Sequence, residues 1–109
     1  MDQLAPVHVI ELFLPLATNE GRTFERELFD RVRSELLQAF GGVTLFSRSP
    51  AEGLWAGSRA EGVSQDRMIT VEVMTEKVDP AWWAAYRREL ETRFEQEEIL
   101  IRSYETRKL

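Results

Sequence analysis

Apolar residues recur along this chain in two rhythms, alternation and a spacing of about four, and the rhythms take turns. Val7 to Leu14, VHVIELFL, is rich in β-branched and large apolar residues and is stopped by Pro15, which predicts a strand. Alternation puts His8, Ile10, Leu12 and Leu14 on one side and Val7, Val9, Glu11 and Phe13 on the other. Both sides are mainly apolar, so cover is expected on both. A loop with turn chemistry at Asn19, Glu20 and Gly21 leads to Thr23, a candidate N-cap, and a helix is predicted from Phe24 to about Phe40. Its stripe is Phe24, Leu28, Val32, Leu36 and Phe40, with Phe29 beside it, and Gly41 and Gly42 end it.

Val43 to Arg48 reads as a second strand, and the Gly-, Pro- and Ser-rich stretch from Ser49 to Asp66 as a long loop carrying Leu54 and Trp55. Met68 to Thr75, MITVEVMT, is the third strand. Asp79 followed by Pro80 opens a second helix, which runs to about Glu95 and buries Trp83, Tyr86 or the stem of Arg87, Leu90 and Phe94. Glu98 to Tyr104 is the fourth strand, and Glu105 to Leu109 is a polar tail expected to fray.

The stretch Val32 to Arg48 returns as Tyr86 to Arg102 at an offset of 54 residues, with Arg33 matching Arg87, Glu35 matching Glu89, Phe40 matching Phe94 and Arg48 matching Arg102. One domain, 1–109, is therefore expected, with halves 7–48 and 68–104 as an internal repeat and 49–67 as a long loop between them. The order β-α-β, loop, β-α-β predicts an α+β, ferredoxin-like fold: a four-stranded antiparallel sheet in the order 4-1-3-2 with two helices on one face. The helix-facing side collects Ile10, Leu12, Val43, Leu45, Ile69, Val71, Ile99 and Ile101.

The opposite side would expose Val7, Val9, Phe13, Phe46, Met68, Met74, Leu100 and Tyr104, more apolar surface than a monomer usually leaves in water, so a homodimer through this sheet face is expected. It also carries Glu11, Arg48, Glu72 and Arg102, and the strand order sets an arginine beside each glutamate. Two cross-strand ion pairs satisfy those charges. A polar pocket between two sheets is the other reading, with arginine forks for a carboxylate or carbonyl ligand and a desolvated glutamate as base. The Trp55 loop either plugs its own sheet edge or closes over a ligand on this face. The ligand-binding candidates are thus Glu11, Arg48, Trp55, Glu72 and Arg102, and no residue is assigned as catalytic.

Composition removes several classes of function. Hydrophobic residues make up 43% and charged residues 30%, as in ordinary globular proteins, and a net charge of -5 disfavours phosphate backbones and anionic membranes. Neither a nucleic-acid nor a membrane partner is expected. Without cysteine there are no disulfides, thiolate metal sites or cysteine nucleophiles. His8 is the single histidine, which leaves no basis for a serine-histidine-acid set or a histidine metal site, and no cofactor is implied. The run Glu95, Glu97, Glu98 lacks calcium-loop spacing, and Trp82 with Trp83 lacks the basic surround of a stacking platform. No basic leader or long apolar run opens the chain, so the cytoplasm is the expected compartment.

The strand entry FGGVT at Phe40, the GLW at Gly53 to Trp55 and the run RFEQEEILI from Arg93 to Ile101 resemble an uncharacterised family of small soluble bacterial proteins. That resemblance implies no chemistry. In outline the chain is also similar to dimeric α/β-barrel proteins, which implies a homodimer and either ligand binding or cofactor-independent catalysis. The expected function is a homodimeric small-molecule-binding or interaction protein using the open sheet face under the Trp55 loop. The alternative is a cofactor-independent enzyme, monooxygenase- or isomerase-like, with Glu11 or Glu72 as base and Arg48 or Arg102 steering an anionic intermediate.

Overall fold

In a computed structural model, which describes residues 6–47 and 68–109, the apolar run at the start of the chain becomes the central strand. This strand, β1 (Pro6–Pro15), is followed by α1 (Arg26–Phe40), β2 (Val43–Ser47), β3 (Met68–Thr75), α2 (Pro80–Arg93) and β4 (Ile101–Arg107). The sheet order is β2-β3-β1-β4, with every neighbouring pair antiparallel. β1 thus donates and accepts along both edges, pairing Leu12 with Val71 on one side and with Ile101 on the other.

The long strands are three, β3-β1-β4, and β2 adds five residues by its backbone on the outer edge of β3. Of the expected ferredoxin-like, four-stranded antiparallel sheet in the order 4-1-3-2, the strand order is the one observed, while the ferredoxin-like assignment is corrected to an α+β fold whose sheet rests on three long antiparallel strands with β2 as a short edge. Its physical reason lies in the connections. Two glycines link α1 to β2, whereas residues 94–100 separate α2 from β4, so the repeated helix ends at Phe40 and Phe94 are not followed by equivalent strands.

Element ends moved for local reasons. Helix α1 does not start at Phe24, because the Phe24 N–H donates to the Leu16 carbonyl at 3.0 Å and Thr23 bridges to Ala17. Glu25 takes the cap position without a side-chain cap, and the helix ends at Gly41, whose φ of 85° suits a residue without a Cβ. At the other helix Asp79 performs as expected, its Oδ1 accepting from the Ala81 N–H at 3.1 Å and the Trp82 N–H at 3.4 Å. β4 starts later than expected and reaches Arg107 instead of fraying, because β1 extends back to Pro6 and pairs Val7 with Thr106 and Pro6 with Arg107.

Both helices pack on one side of the sheet. Ile10, Leu12 and Leu14 of β1 and Ile69, Val71 and Val73 of β3 meet Phe29, Val32 and Leu36 of α1 and Trp83, Tyr86 and Leu90 of α2 in one cluster, closed by Phe94 and Ile99. The side-chain parities expected for β1 and β3 are the ones observed. Phe94 plugs the end of the cluster, its ring 5.2 Å from Phe24 and 5.3 Å from Phe29.

Leu90 is fully buried, whereas Leu37 on α1 is exposed. Leu90→Ala is expected to lose about 2–5 kcal/mol of unfolding free energy in urea titration, and Leu37→Ala less than about 0.5 kcal/mol. Equal losses would contradict this packing.

Candidate functional site

The face of the sheet away from the helices is divided. Val7, Val9 and Phe13 on β1 and Met68 and Thr70 on β3 are buried within the single chain, while Met74 and Tyr104 stay 48% and 47% exposed. Phe13 and Met68 form a second cluster with Leu100, separate from the helix-side core. The expectation that all of these apolar groups lie open for a second copy is therefore corrected. Among the described residues of this face Met74 and Tyr104 are exposed and Leu100 is half-buried, and the side chain of Phe46 lies outside the described residues.

Glu11 is the one charged side chain in β1, and strand register decides its neighbours: Glu72 directly opposite on β3 and Arg102 directly opposite on β4. Facing carboxylates on adjacent strands destabilise a sheet, and a cation on the third strand offsets that. Arg102 supplies it. Its Nε donates to Glu11 Oε1 at 2.7 Å, and its guanidinium carbon lies 5.4 Å from the centre of the Phe13 ring. The expected Glu11–Arg102 pair is thus present. Among the described residues no cation lies within ion-pair distance of Glu72, whose cross-strand neighbour on β2 is Thr44. Its expected partner Arg48, and Trp55, lie outside the described residues.

Two further groups flank the charged row, one on each side. Tyr104 sits opposite Val9, one diagonal step from Glu11. Desolvation and the negative charges of Glu11 and Glu72 push its phenol above the usual tyrosine range, against the opposing charge of Arg102. Thr70 precedes Glu72 on the same face of β3, opposite Phe13, and its buried Oγ1 has no hydrogen-bond partner. A buried hydroxyl in that condition is uncommon.

A second polar cluster, between the helices, carries no site candidate of the sequence analysis. Arg93 of α2, whose side chain is 7% exposed, clasps Glu35 of α1 with two bonds, Nη1 to Oε1 at 2.9 Å and Nη2 to Oε2 at 3.1 Å. It also reaches Glu89 at 2.7 Å, and the Tyr86 hydroxyl donates to Glu35 Oε1 at 2.8 Å. Burial pushes the Glu35 carboxyl up, but the hydrogen bonds from Arg93 and Tyr86 outweigh it and hold the group below the usual range. Burial, then the bond to Glu35, pushes Tyr86 far above the ordinary phenol range. A phenol held so firmly protonated is a donor and not a base. Every member has a partner, so this cluster clamps helix to helix and offers nothing unspent for chemistry.

The remaining candidates are structural. Trp83 stacks on Phe40 with ring centres 5.2 Å apart, and Trp82 stacks on Tyr86 at 5.0 Å. Arg22, near a helix start, is taken by Glu95 at 3.2 Å. His8 is half-buried at the end of β1, between Thr75 and Glu105. A shallow groove along the end of α2 is lined by Arg88, Glu91, Glu95 and Glu97, but Glu91 already accepts from the Ile99 N–H. Among the described residues no cluster of metal-ligating side chains forms and no helix is long and apolar enough to cross a membrane.

No protein-family model, curated protein or solved structure matches the chain. The roles of these residues rest on geometry alone.

The clamp makes a pH prediction. Glu35 has its native pKa below its unfolded value, so its contribution is present above about 4.5 and is lost as pH falls through and below that value. Tyr86 acts at the other end: its native pKa lies above its unfolded value, so its contribution holds below about 10 and fades as pH climbs beyond that. Glu35→Gln is expected to cost about 1–3 kcal/mol in urea titration at pH 7 and to flatten the fall in stability between pH 5 and 3. An acid limb as steep as that of the wild type would contradict the clamp.

Proposed function

We propose that this chain is a small-molecule-binding or interaction protein whose site is the charged end of the outer sheet face, around Glu11, Glu72, Arg102 and Tyr104. One observation carries the reading. On a face where Val7, Val9, Phe13 and Met68 are buried, the charged row Glu72, Glu11 and Arg102 lies next to the row Met74, Val9 and Tyr104, whose two outer side chains are exposed. Binding sites combine a hydrophobic floor with a few placed polar groups, and this end has both.

The proposed assembly is a homodimer in which a second copy packs over that end, so that ligand and partner share it. Exposed Met74 and Tyr104 support the assembly. The enzyme reading gains less, because the Glu11 carboxylate is already engaged by Arg102 at 2.7 Å.

Backbone amide spectra of the full chain, recorded against sets of small amines, carboxylates, sugars and nucleosides, test the site. At least one class is expected to shift the amides of Glu11, Glu72, Arg102 and Tyr104 and to leave α1 unmoved. Light scattering on the same samples is expected to give twice the 12.7 kDa chain mass, and Met74→Asp to halve it. Shifts confined to the groove along α2, or none with any class, would overturn the site, and a monomer at micromolar concentration would overturn the assembly.

A further inference from the structure

The sheet ends on β4, Ile101–Arg107, and hydrogen-bond parity says which of its backbone groups lie along the outer edge. The Phe13 N–H donates to the Leu100 carbonyl at 3.1 Å, so Phe13 and Leu100 are a hydrogen-bonded pair. Alternation along the antiparallel ladder then turns the N–H and C=O groups of Arg102, Tyr104 and Thr106 toward β1, and those of Ile101, Ser103, Glu105 and Arg107 away from it. Among the described residues no strand lies beyond β4, and Arg102, Ser103, Tyr104 and Glu105 are all exposed. Residues 48–67, outside the described ones, leave from β2 and return to β3, on the far side of β1 from β4.

Charged side chains commonly keep an edge strand single, and β4 carries Arg102, Glu105 and Arg107. Their order is nevertheless compatible with one symmetric pairing. A two-fold axis perpendicular to the sheet and passing through Tyr104 sets β4 antiparallel to its own copy with all seven residues paired. The outward backbone groups then meet one another, Ser103 opposite the partner's Glu105 and Ile101 opposite the partner's Arg107. Tyr104 faces its own copy as an aromatic cross-strand pair, and Arg102 faces the partner's Thr106. No like charges stand directly opposite, and the two Glu105 groups meet only on the diagonal. An axis through Glu105 or Arg102 opposes like charges, and one through Ser103 leaves Thr106 and Arg107 beyond the partner's β4.

We propose that β4 is a second contact between copies of this chain, an edge-to-edge pairing centred on Tyr104 that makes one continuous sheet across two copies. The backbone supplies the attraction, and the Ser103 hydroxyl donates to the partner's Glu105 carboxylate twice by symmetry. Two paired seven-residue strands bury less than the roughly 1,000 Å² of a stable interface, so the contact is weak and concentration-dependent. It goes beyond the outer-face assembly proposed above and does not depend on it, since Ser103 and Glu105 stand opposite Ile10 and His8 on the helix side of the sheet.

Light scattering on the full chain over a rising concentration series tests the contact, in the wild type and in Met74→Asp, which removes the outer-face contact. In both backgrounds the mean mass is expected to rise with concentration toward about twice its dilute value. Ser103→Pro removes an outward N–H without touching the β1 ladder, and is expected to abolish the rise while keeping the urea midpoint close to that of the wild type. Ser103→Glu, set against the partner's Glu105, is expected to weaken the contact about fivefold, and Ser103→Lys to tighten it by a similar factor. Those two variants decide the matter should Ser103→Pro unfold. A mass that stays constant with concentration in both backgrounds, or a rise that no Ser103 variant alters, would overturn the edge contact. Equal weakening by Ser103→Glu and Ser103→Lys would overturn the pairing centred on Tyr104. The dilute mass, with and without Met74→Asp, reads the outer-face assembly separately.

Discussion

A strand that is apolar on both faces has to be covered on both faces, and β1 is that strand. Its backbone is shared between β3 and β4, its even-numbered side chains lie under the helices, and its odd-numbered ones Val7, Val9 and Phe13 are buried as well. Burial on this scale stabilises at about 25 cal/mol per Å² of apolar surface and leaves little tolerance for charge. Glu11 interrupts the run nonetheless. It is accommodated because register puts Arg102 opposite it.

The two polar clusters differ in kind. Between the helices, Glu35 receives two bonds from Arg93 and one from Tyr86, and the network closes on itself. Removing one member of such a network leaves a charge without its partner, which is why it acts on stability. On the outer face the bonds do not close among the described residues. Arg102 is half exposed and its pair with Glu11 adds at most about 1 kcal/mol, while the Thr70 hydroxyl has no partner. Unspent capacity is what separates a place that can bind from a place that only holds.

Much of this was legible before any coordinates. The double burial of β1 followed from VHVIELFL, and the stripes Val32, Leu36 and Trp83, Leu90 followed from their spacing. Parity and strand neighbours were enough to set Arg102 beside Glu11. Local competition was not legible: nothing in LATNEGRTF shows that the Phe24 N–H bonds back to Leu16 and delays the helix. The repeat misled in part, because matching residues carry the helix ends while the links that follow differ in length, so β4 starts later than the repeat places it. The contact between Glu35 and Arg93 was not legible, since spacing along one helix cannot reveal a contact with another. The outer face was read as open because alternation gives sides, not cover.

The dependence of the whole fold on β1 is open to direct measurement by native-state hydrogen exchange in low urea. Amides from Val9 to Phe13 are predicted to exchange only through global unfolding, with an opening free energy equal to that of the denaturant titration, while Ser103 to Glu105 of the edge strand β4 open at lower cost. Exchange from Val9 to Phe13 as fast as from Ser103 to Glu105 would contradict a central strand sealed on both sides.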